Sequence, residues 1–351
     1  IARLGGDEFV VLMEDIDDPN AAASLARRLL ATLARPFTVN GRELYITASI
    51  GIAIYPLDGG DMDPLLSNAD VAMYQAKDQG RNTYRFFEAA MTEGALERLR
   101  LENALRGAIG RGELRLQYQP QFRLSDGCMH GVEVLARWQH PEFGEVTPGR
   151  FIPIAEEIGL IVELGNWVLE QACRQLAAWD DAGFLVPRLA VNLSVQQLER
   201  SDLTEQVIGE LQRTGVEPDR LEQEVTETKL MRQADLDIAH LDGLRALGIT
   251  LAVDDFGSGF SSMTYLKRLP ISRLKIDKAF VDHVTRDPSD DAIARAIITL
   301  GHGLGLEVLA EGVETQEQAD FLRREGCAEA QGYLFGPPMS PDQLVASRSP
   351  L

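Results

Sequence analysis

The chain has 351 residues, 45% hydrophobic and 25% charged, which suits about two globular domains with sizeable cores. Its formal net charge of −20 excludes a protein that grips nucleic-acid polymer through the backbone, because that needs a basic surface to displace counterions. A small phosphate ligand held through metal ions stays open. No apolar run approaches the roughly 20 residues of a membrane span, and no basic, apolar leader opens the chain, so the reading is cytoplasmic. Because it opens at Ile1, without a methionine, it reads as a piece of something longer that could carry sensor or membrane segments upstream.

In chain order, the first elements fall between residue 1 and about 87. Gly5-Gly6 sits between apolar flanks like a hairpin turn. A helix is expected over 19–33, with Leu25, Leu29 and Leu33 on one face, then strands over 37–39 and 44–55 turning at Asn40-Gly41. A second helix over 64–78 stops at Gly80, and a charged helical stretch over 88–109 reads as a connector. From residue 113 onward strands and helices alternate. Strands are expected over 114–118, 132–136, 189–192, 221–225, 250–254, 273–276, 307–310 and 328–331. Helices are expected over 166–179, 203–213, 236–247, 262–269, 292–303 and 316–324. Such an alternation builds a (β/α)8 barrel. The first two strands are joined only by Ser125-Asp126-Gly127, too short for a parallel crossover, so the first should run antiparallel to its neighbour.

Polar residues stand where these apolar runs end: Glu133, Asn192, Glu224 with Glu227, Asp254-Asp255, Lys275 with Asp277, Glu311 with Glu314, and Gln331. A barrel gathers such residues at the carboxyl face of its strands. Two carboxylates about 4 Å apart repel by roughly 4 kcal/mol at an effective dielectric near 20, so a cluster of five or more calls for divalent cations. Cys128, Cys173 and Cys327 lack metal-ligand spacing and read as isolated buried thiols, and the histidines are scattered. Oxygen ligands alone point to magnesium or manganese rather than zinc. Glu133 and Arg137 share one face of their strand, where one can ligate a cation and the other hold phosphate in a guanidinium fork.

The ordered set Tyr118-Gln119-Pro120, Glu133-Val134-Leu135-Ala136-Arg137, Asn192-Leu193-Ser194, Glu224-Val225-Thr226-Glu227, Asp254-Asp255-Phe256-Gly257, Leu274-Lys275-Ile276-Asp277 and Glu311-Gly312-Val313-Glu314 resembles an EAL domain, over about residues 113–341. The resemblance implies a TIM-like barrel that hydrolyses cyclic di-GMP to linear pGpG with two metal ions, magnesium or manganese, and pairs as a homodimer through the barrel. It implies Glu133, Asn192, Glu224 and Asp254 as ligands of one metal and Asp255 of the second. Glu311 is then a ligand or general base, and Lys275 stands beside the attacking water. Gln119, Arg137, Asp277, Glu314 and Gln331 fall among substrate-binding or supporting positions, and Glu227 anchors the loop after Asp255. Val134 and Ser258 depart from the family's usual residues without removing a ligand, and Gln223 stands where many members are apolar.

Gly5-Gly6-Asp7-Glu8-Phe9, followed by Ser49-Ile50-Gly51, Lys77 and Gly80-Arg81-Asn82, is similar to the carboxyl-terminal half of a GGDEF domain, an α+β nucleotide-cyclase-like fold that makes cyclic di-GMP from GTP. Adjacent glycines let backbone approach phosphate, Asp7 and Glu8 offer metal ligands, and Lys77 and Arg81 could hold a triphosphate. GTP is thus a partner only of the intact domain, and this part is expected to be regulatory or inactive. The expected boundaries are 1–87 for the GGDEF part, 88–110 for the connector and 111–348 for the barrel. Two other readings compete: a cyclic di-GMP receptor without turnover, against which the complete ligand set argues, and a barrel enzyme of other chemistry, since fold alone does not fix function.

Overall fold

A computed structural model describes residues 1–14, 19–39, 42–227, 230, 238–257 and 266–347. The turn expected at Asn40-Gly41, Ser258, and the starts of the helices expected at 236 and 262 lie outside the described residues. The chain divides into two compact units, Ile1–Asn103 and Ala104–Leu351. Among the described residues no helix is long and apolar enough to cross a membrane.

In the first unit, strands Ala2–Gly5 and Glu8–Val10 form the antiparallel hairpin about Gly5-Gly6, with Gly6 in the left-handed region at φ 53°. Helices Pro19–Leu33 and Met62–Asp78 follow the expected periodicity. The strand expected over 44–55 is not continuous. Arg42–Leu44 pairs antiparallel with Phe37–Val39, whereas Ile50–Ile52 pairs parallel with Tyr84–Phe86, a partner 34 residues farther on. Alternating apolar residues bias the backbone toward extension, but pairing decides where a strand exists. Residues 45–49 separate the two pieces without joining either ladder. Helix Met62–Asp78 packs so closely on this sheet that a Cβ at Gly51 would lie 1.8 Å from the carbonyl oxygen of Ala69.

The second unit is an eight-strand barrel. Its strands are β1 (Leu114–Arg123), β2 (Met129–His140), β3 (Leu189–Asn192), β4 (Leu221–Thr226), β5 (Thr250–Phe256), β6 (Arg273–Ile276), β7 (Glu307–Ala310) and β8 (Glu329–Gln331). They pair in sequence order and close through β8 and β1, and a short strand, Gly144–Val146, extends the sheet beside β2. From β2 to β8 every neighbour is parallel, while β1 runs antiparallel to both β2 and β8. The helices pack outside because each has one apolar face. In Ile161–Asp181, Leu164, Val168, Leu169, Ala172, Cys173, Leu176 and Trp179 are buried at helical spacing. Helix Pro148–Glu157 escapes the sequence reading, although Thr147 and Pro148 are good starting residues for it.

Alternation with period two puts polar and charged side chains in two layers inside the barrel. Glu224, Lys275 and Gln331 belong to the upper one. Two residues earlier on the same strands stand Glu222, Arg273 and Glu329, all buried. Arg273 is wholly enclosed, with nitrogens 2.7 Å from Glu307, 2.9 Å from Glu329 and 3.4 Å from Glu222. Arg188, just before β3, lies within 3.4 to 3.9 Å of the same three carboxylates. Burial pushes Glu222 up to about 7, against the pull of Arg188 and Lys275. Arg273→Ala should therefore cost about 3–5 kcal/mol of unfolding free energy, the magnitude for a buried ion pair stripped of one member. Arg295→Ala, at an exposed pair with Glu325, should leave the unfolding midpoint nearly unchanged. Urea unfolding of both variants checks this; equal losses would mean that the lower layer adds no more than a surface pair.

Candidate active site

The upper layer centres on Lys275. Its ammonium is wholly buried and lies 2.7 Å from Glu311, 2.8 Å from Glu224, 3.1 Å from Asp254 and 3.4 Å from Glu133. Burial works against this charge, but the carboxylates of Asp254, Glu133, Glu224 and Glu311 outweigh it and hold Lys275 well above the ordinary lysine value. The acids feel the opposite balance. Burial raises Glu224 well above the usual carboxylate range despite Lys275, and lifts Glu311 to about 8. Burial, with the neighbouring charges of Asp254 and Asp277, takes Asp255 to about 6.

Local backbone geometry explains how two consecutive aspartates reach one rim. In a regular strand Asp254 and Asp255 would face opposite sides. Here the β5–β6 ladder slips between Val253 and Phe256, and Asp255 adopts a left-handed conformation at φ 54°, which short polar side chains tolerate better than most. The backbone N–H of Asp255 also donates to Asp254 Oδ1 at 3.0 Å. Just beyond, the N–H of Gly257 donates to Glu227 Oε2 at 2.7 Å, and Glu227 is fully buried. Gly257 sits at φ 103°, where a Cβ would come 2.7 Å from the Phe280 ring, so the turn needs glycine twice over.

The residues fit a divalent cation. One carboxylate oxygen from each of Glu133, Glu224 and Asp254 lies within 4.8 Å of the other two, and the same holds for Asp254, Asp255 and Glu311. Asp254 belongs to both groups. Glu224 Oε1 is buried and accepts no hydrogen bond among the described residues, an arrangement costly for a carboxylate unless a cation meets it. All donors are oxygens, the preference of magnesium and manganese. Asn192, at the end of β3, donates to Glu133 Oε1 at 3.2 Å.

Gln331 lies within the acid cluster, donating from Nε2 to Glu133 Oε2 at 2.6 Å and to Glu311 Oε1 at 2.9 Å. The other candidates bond to groups outside the acid cluster. Gln119 donates to the carbonyl of Gly336 at 3.3 Å, and Arg137 donates to Gln117 Oε1 at 2.7 Å. Asp277 caps helix Lys278–Val281 by accepting from the N–H of Ala279, and exposed Glu314 pairs with Lys278 at 2.7 Å. In the first unit Gly5, Gly6, Asp7 and Glu8 form the exposed hairpin, with Lys77 in the last turn of its helix and Arg81 beyond it. Among the described residues both acidic groups lie in the barrel, and neither includes Asp7 or Glu8. Cys173 and Cys327 are buried as expected, but Cys128 is exposed, because it sits in the β1–β2 turn. Gln223 is buried and lines a small cavity with Asn166 and Gln206, outside the barrel wall. Sequence reasoning overlooked Gln117 and Gln121, although a glutamine at every second position of β1 marks one face of a strand.

Removing the central ammonium leaves four carboxylates without their common counter-charge. In chelator, Lys275→Met should lose about 3–5 kcal/mol of stability. Added manganese should then raise the thermal midpoint of the variant more than that of the parent, because the ion replaces the lost charge without competing with an ammonium. Equal recovery in both proteins would show that Lys275 and the cation do not share these acids.

Residues 102–338 match the EAL domain family, and residues 1–83 match the diguanylate cyclase, GGDEF domain family. The chain is 50% identical over 347 residues to the bifunctional diguanylate cyclase/cyclic di-GMP phosphodiesterase MucR of Pseudomonas aeruginosa, covering 99% of this chain and 50% of that protein. It is 43% identical over 339 residues to the cyclic di-GMP phosphodiesterase NbdA of the same organism, covering 97% of this chain and 43% of the relative. The chain thus spans about half the length of the curated relatives it matches. Among solved structures, the PaMucR phosphodiesterase in complex with c-di-GMP superposes with a TM-score of 0.67 at 48% identity, covering 70% of this chain and 99% of that one. With a closed barrel, the ordered acidic rim and these relatives, the chain belongs to the EAL domain family, preceded by a segment that matches the GGDEF domain.

Proposed function

We propose that the barrel is a metal-dependent phosphodiesterase that opens cyclic di-GMP to linear pGpG. The observation that carries this reading is the pair of carboxylate groups sharing Asp254 with Lys275 among them, in a chain 48% identical to a solved phosphodiesterase bound to c-di-GMP. Glu133, Asn192, Glu224 and Asp254 would hold one ion, and Asp255, with Asp254 and Glu311, the second. Magnesium or manganese, when bound, supplies Lewis acidity that lowers the pKa of water and neutralises charge on the phosphoryl group. Glu311 accepts the proton of the attacking water at a carboxylate oxygen, and Lys275 orients that water through Nζ. Arg137 has a guanidinium fork for the second phosphate, and Gln119, Asp277 and Glu314 bind the substrate from the rim.

The same reading takes the barrel as 111–348, the connector as 88–110 and the GGDEF part as 1–87, with GTP a ligand of the intact cyclase domain only. It places the protein in the cytoplasm as a homodimer through the barrel. A receptor without turnover would have no use for two groups of metal-binding carboxylates. Proton abstraction beside a carboxylate would use a lysine and rim acids, but gives Arg137 no role.

Incubation with cyclic di-GMP and magnesium, with products separated by chromatography, should yield pGpG. Glu133→Ala and Asp254→Ala should abolish turnover while leaving the fold intact, chelation should silence the enzyme, and calcium should inhibit because its longer bonds spread the site. Turnover retained in either folded variant, or after exhaustive chelation, would falsify the metal assignment. Glu227→Ala releases the N–H of Gly257 and so loosens Asp255 without removing a ligand. Its catalytic rate should fall more than its substrate binding weakens. An unchanged rate with unchanged metal affinity would remove Glu227 from the mechanism.

A further inference from the structure

A second glutamine lies behind Gln331. Gln121, on β1, is wholly buried, and its Nε2 donates to Gln331 Oε1 at 2.9 Å. The contact follows from topology: because β1 runs antiparallel to β8, Gln121 and Gln331 are direct register partners. Chemistry then dictates the direction of both amides. The end of Gln331 that faces Glu133 and Glu311 meets two carboxylates, 2.6 and 2.9 Å away, so it must be the NH2 end. Its oxygen therefore points backward and needs a donor there. Gln121 supplies one. Room for Gln121 comes from Gly131, opposite it on β2, where a Cβ would lie 2.9 Å from Gln121 Oε1. Glu133 belongs to one acidic group and Glu311 to the other, so the Gln331 amide bridges the two.

We infer that Gln121 is a positioning residue: by holding the Gln331 amide in the orientation that donates to both carboxylates, it sets the spacing of Glu133 and Glu311 for metal binding. This rests on the metal site proposed above. Without Gln121 the Gln331 amide is free to turn over, and a turned amide presents oxygen to two carboxylates in place of two charge-assisted hydrogen bonds. Gln121→Met removes the donor at nearly constant volume. Gln121→Glu goes further, because a carboxylate at 121 attracts the NH2 end of Gln331 and turns its oxygen onto the acids.

The test is a double-mutant cycle read by manganese affinity, measured by calorimetry without nucleotide, alongside kcat and KM for cyclic di-GMP. Gln121→Met should weaken manganese about tenfold, the usual effect of removing a group that orients ligands, and Gln121→Glu more. In a Gln331→Met background neither change should weaken it further, since Gln121 acts only through Gln331. A merely structural role would lower thermal midpoints alike in both backgrounds and leave manganese affinity within twofold, which overturns the inference, as does additivity in the cycle. Should Gln121→Met fail to fold, Gln121→Glu decides on the same criteria. Absent hydrolysis in the parent with a non-additive cycle would sink the proposed reaction and keep Gln121; the reverse pattern would do the opposite.

Discussion

The ammonium of Lys275 inside the barrel, with four carboxylates around it, is the interaction on which the upper layer of the barrel depends. At an effective dielectric near 20, opposite charges 3 Å apart attract by about 5 kcal/mol, and like charges at similar distances repel nearly as strongly. One lysine cannot neutralise four acids. Burial first, and then the residue of negative charge, raises Glu224, Glu311 and Asp255, and together they make the cluster receptive to divalent cations. The cluster persists because the acids stand on different strands whose separation is set by the barrel and not by their own preference. A single helix or hairpin carrying the same charges would splay.

The antiparallel first strand answers a related problem. It lies between β2, which carries Glu133, and β8, which carries Glu329, and its inward face carries Gln117, Gln119 and Gln121. Neutral amides add no charge to the cluster and offer donors and acceptors at once. Gln117 accepts from Arg137, Gln119 donates to the carbonyl of Gly336, and Gln121 donates to Gln331. Running β1 the other way would change which residue on β1 stands beside each residue of β2 and β8. A parallel strand would therefore not pair Gln121 with Gln331 or Gln119 with Glu133.

A large share of the architecture is legible in the linear order of residues. The expected strands over 189–192, 273–276 and 307–310 coincide with the observed ones: the first is a short, sharply bounded apolar run in a parallel sheet, and in the second Leu274 and Ile276 alternate with Arg273 and Lys275. The helix over 316–324 coincides as well, where Thr315 and Gln318 form a capping box. Elsewhere the pattern misleads. Residues 44–55 alternate like one strand yet divide between two sheets, and Cys128, which directly follows the Ser125-Asp126-Gly127 turn, is exposed although an isolated cysteine is usually buried. The lower charged layer of Glu222, Arg273 and Glu329 was equally present in the sequence, at every second residue below the upper one. It is not legible there, because a charge within an apolar run signals burial only when its partners on other strands are known.

By itself, then, the sequence determined the kinds of element, their order, the antiparallel first strand and the residue types that gather at one rim, because periodicity, turn length and side-chain chemistry are local properties. Only the tertiary structure decided which oxygens come within reach of one cation, that Asp254 and Asp255 face the same way through a ladder slip, and that Gln121 stands behind Gln331. Those outcomes depend on register and closure between segments separated by up to some two hundred residues, as in the 210-residue gap between Gln121 and Gln331. No local pattern encodes that separation, since the energy that selects it appears only when the barrel closes and every inward side chain meets its neighbours.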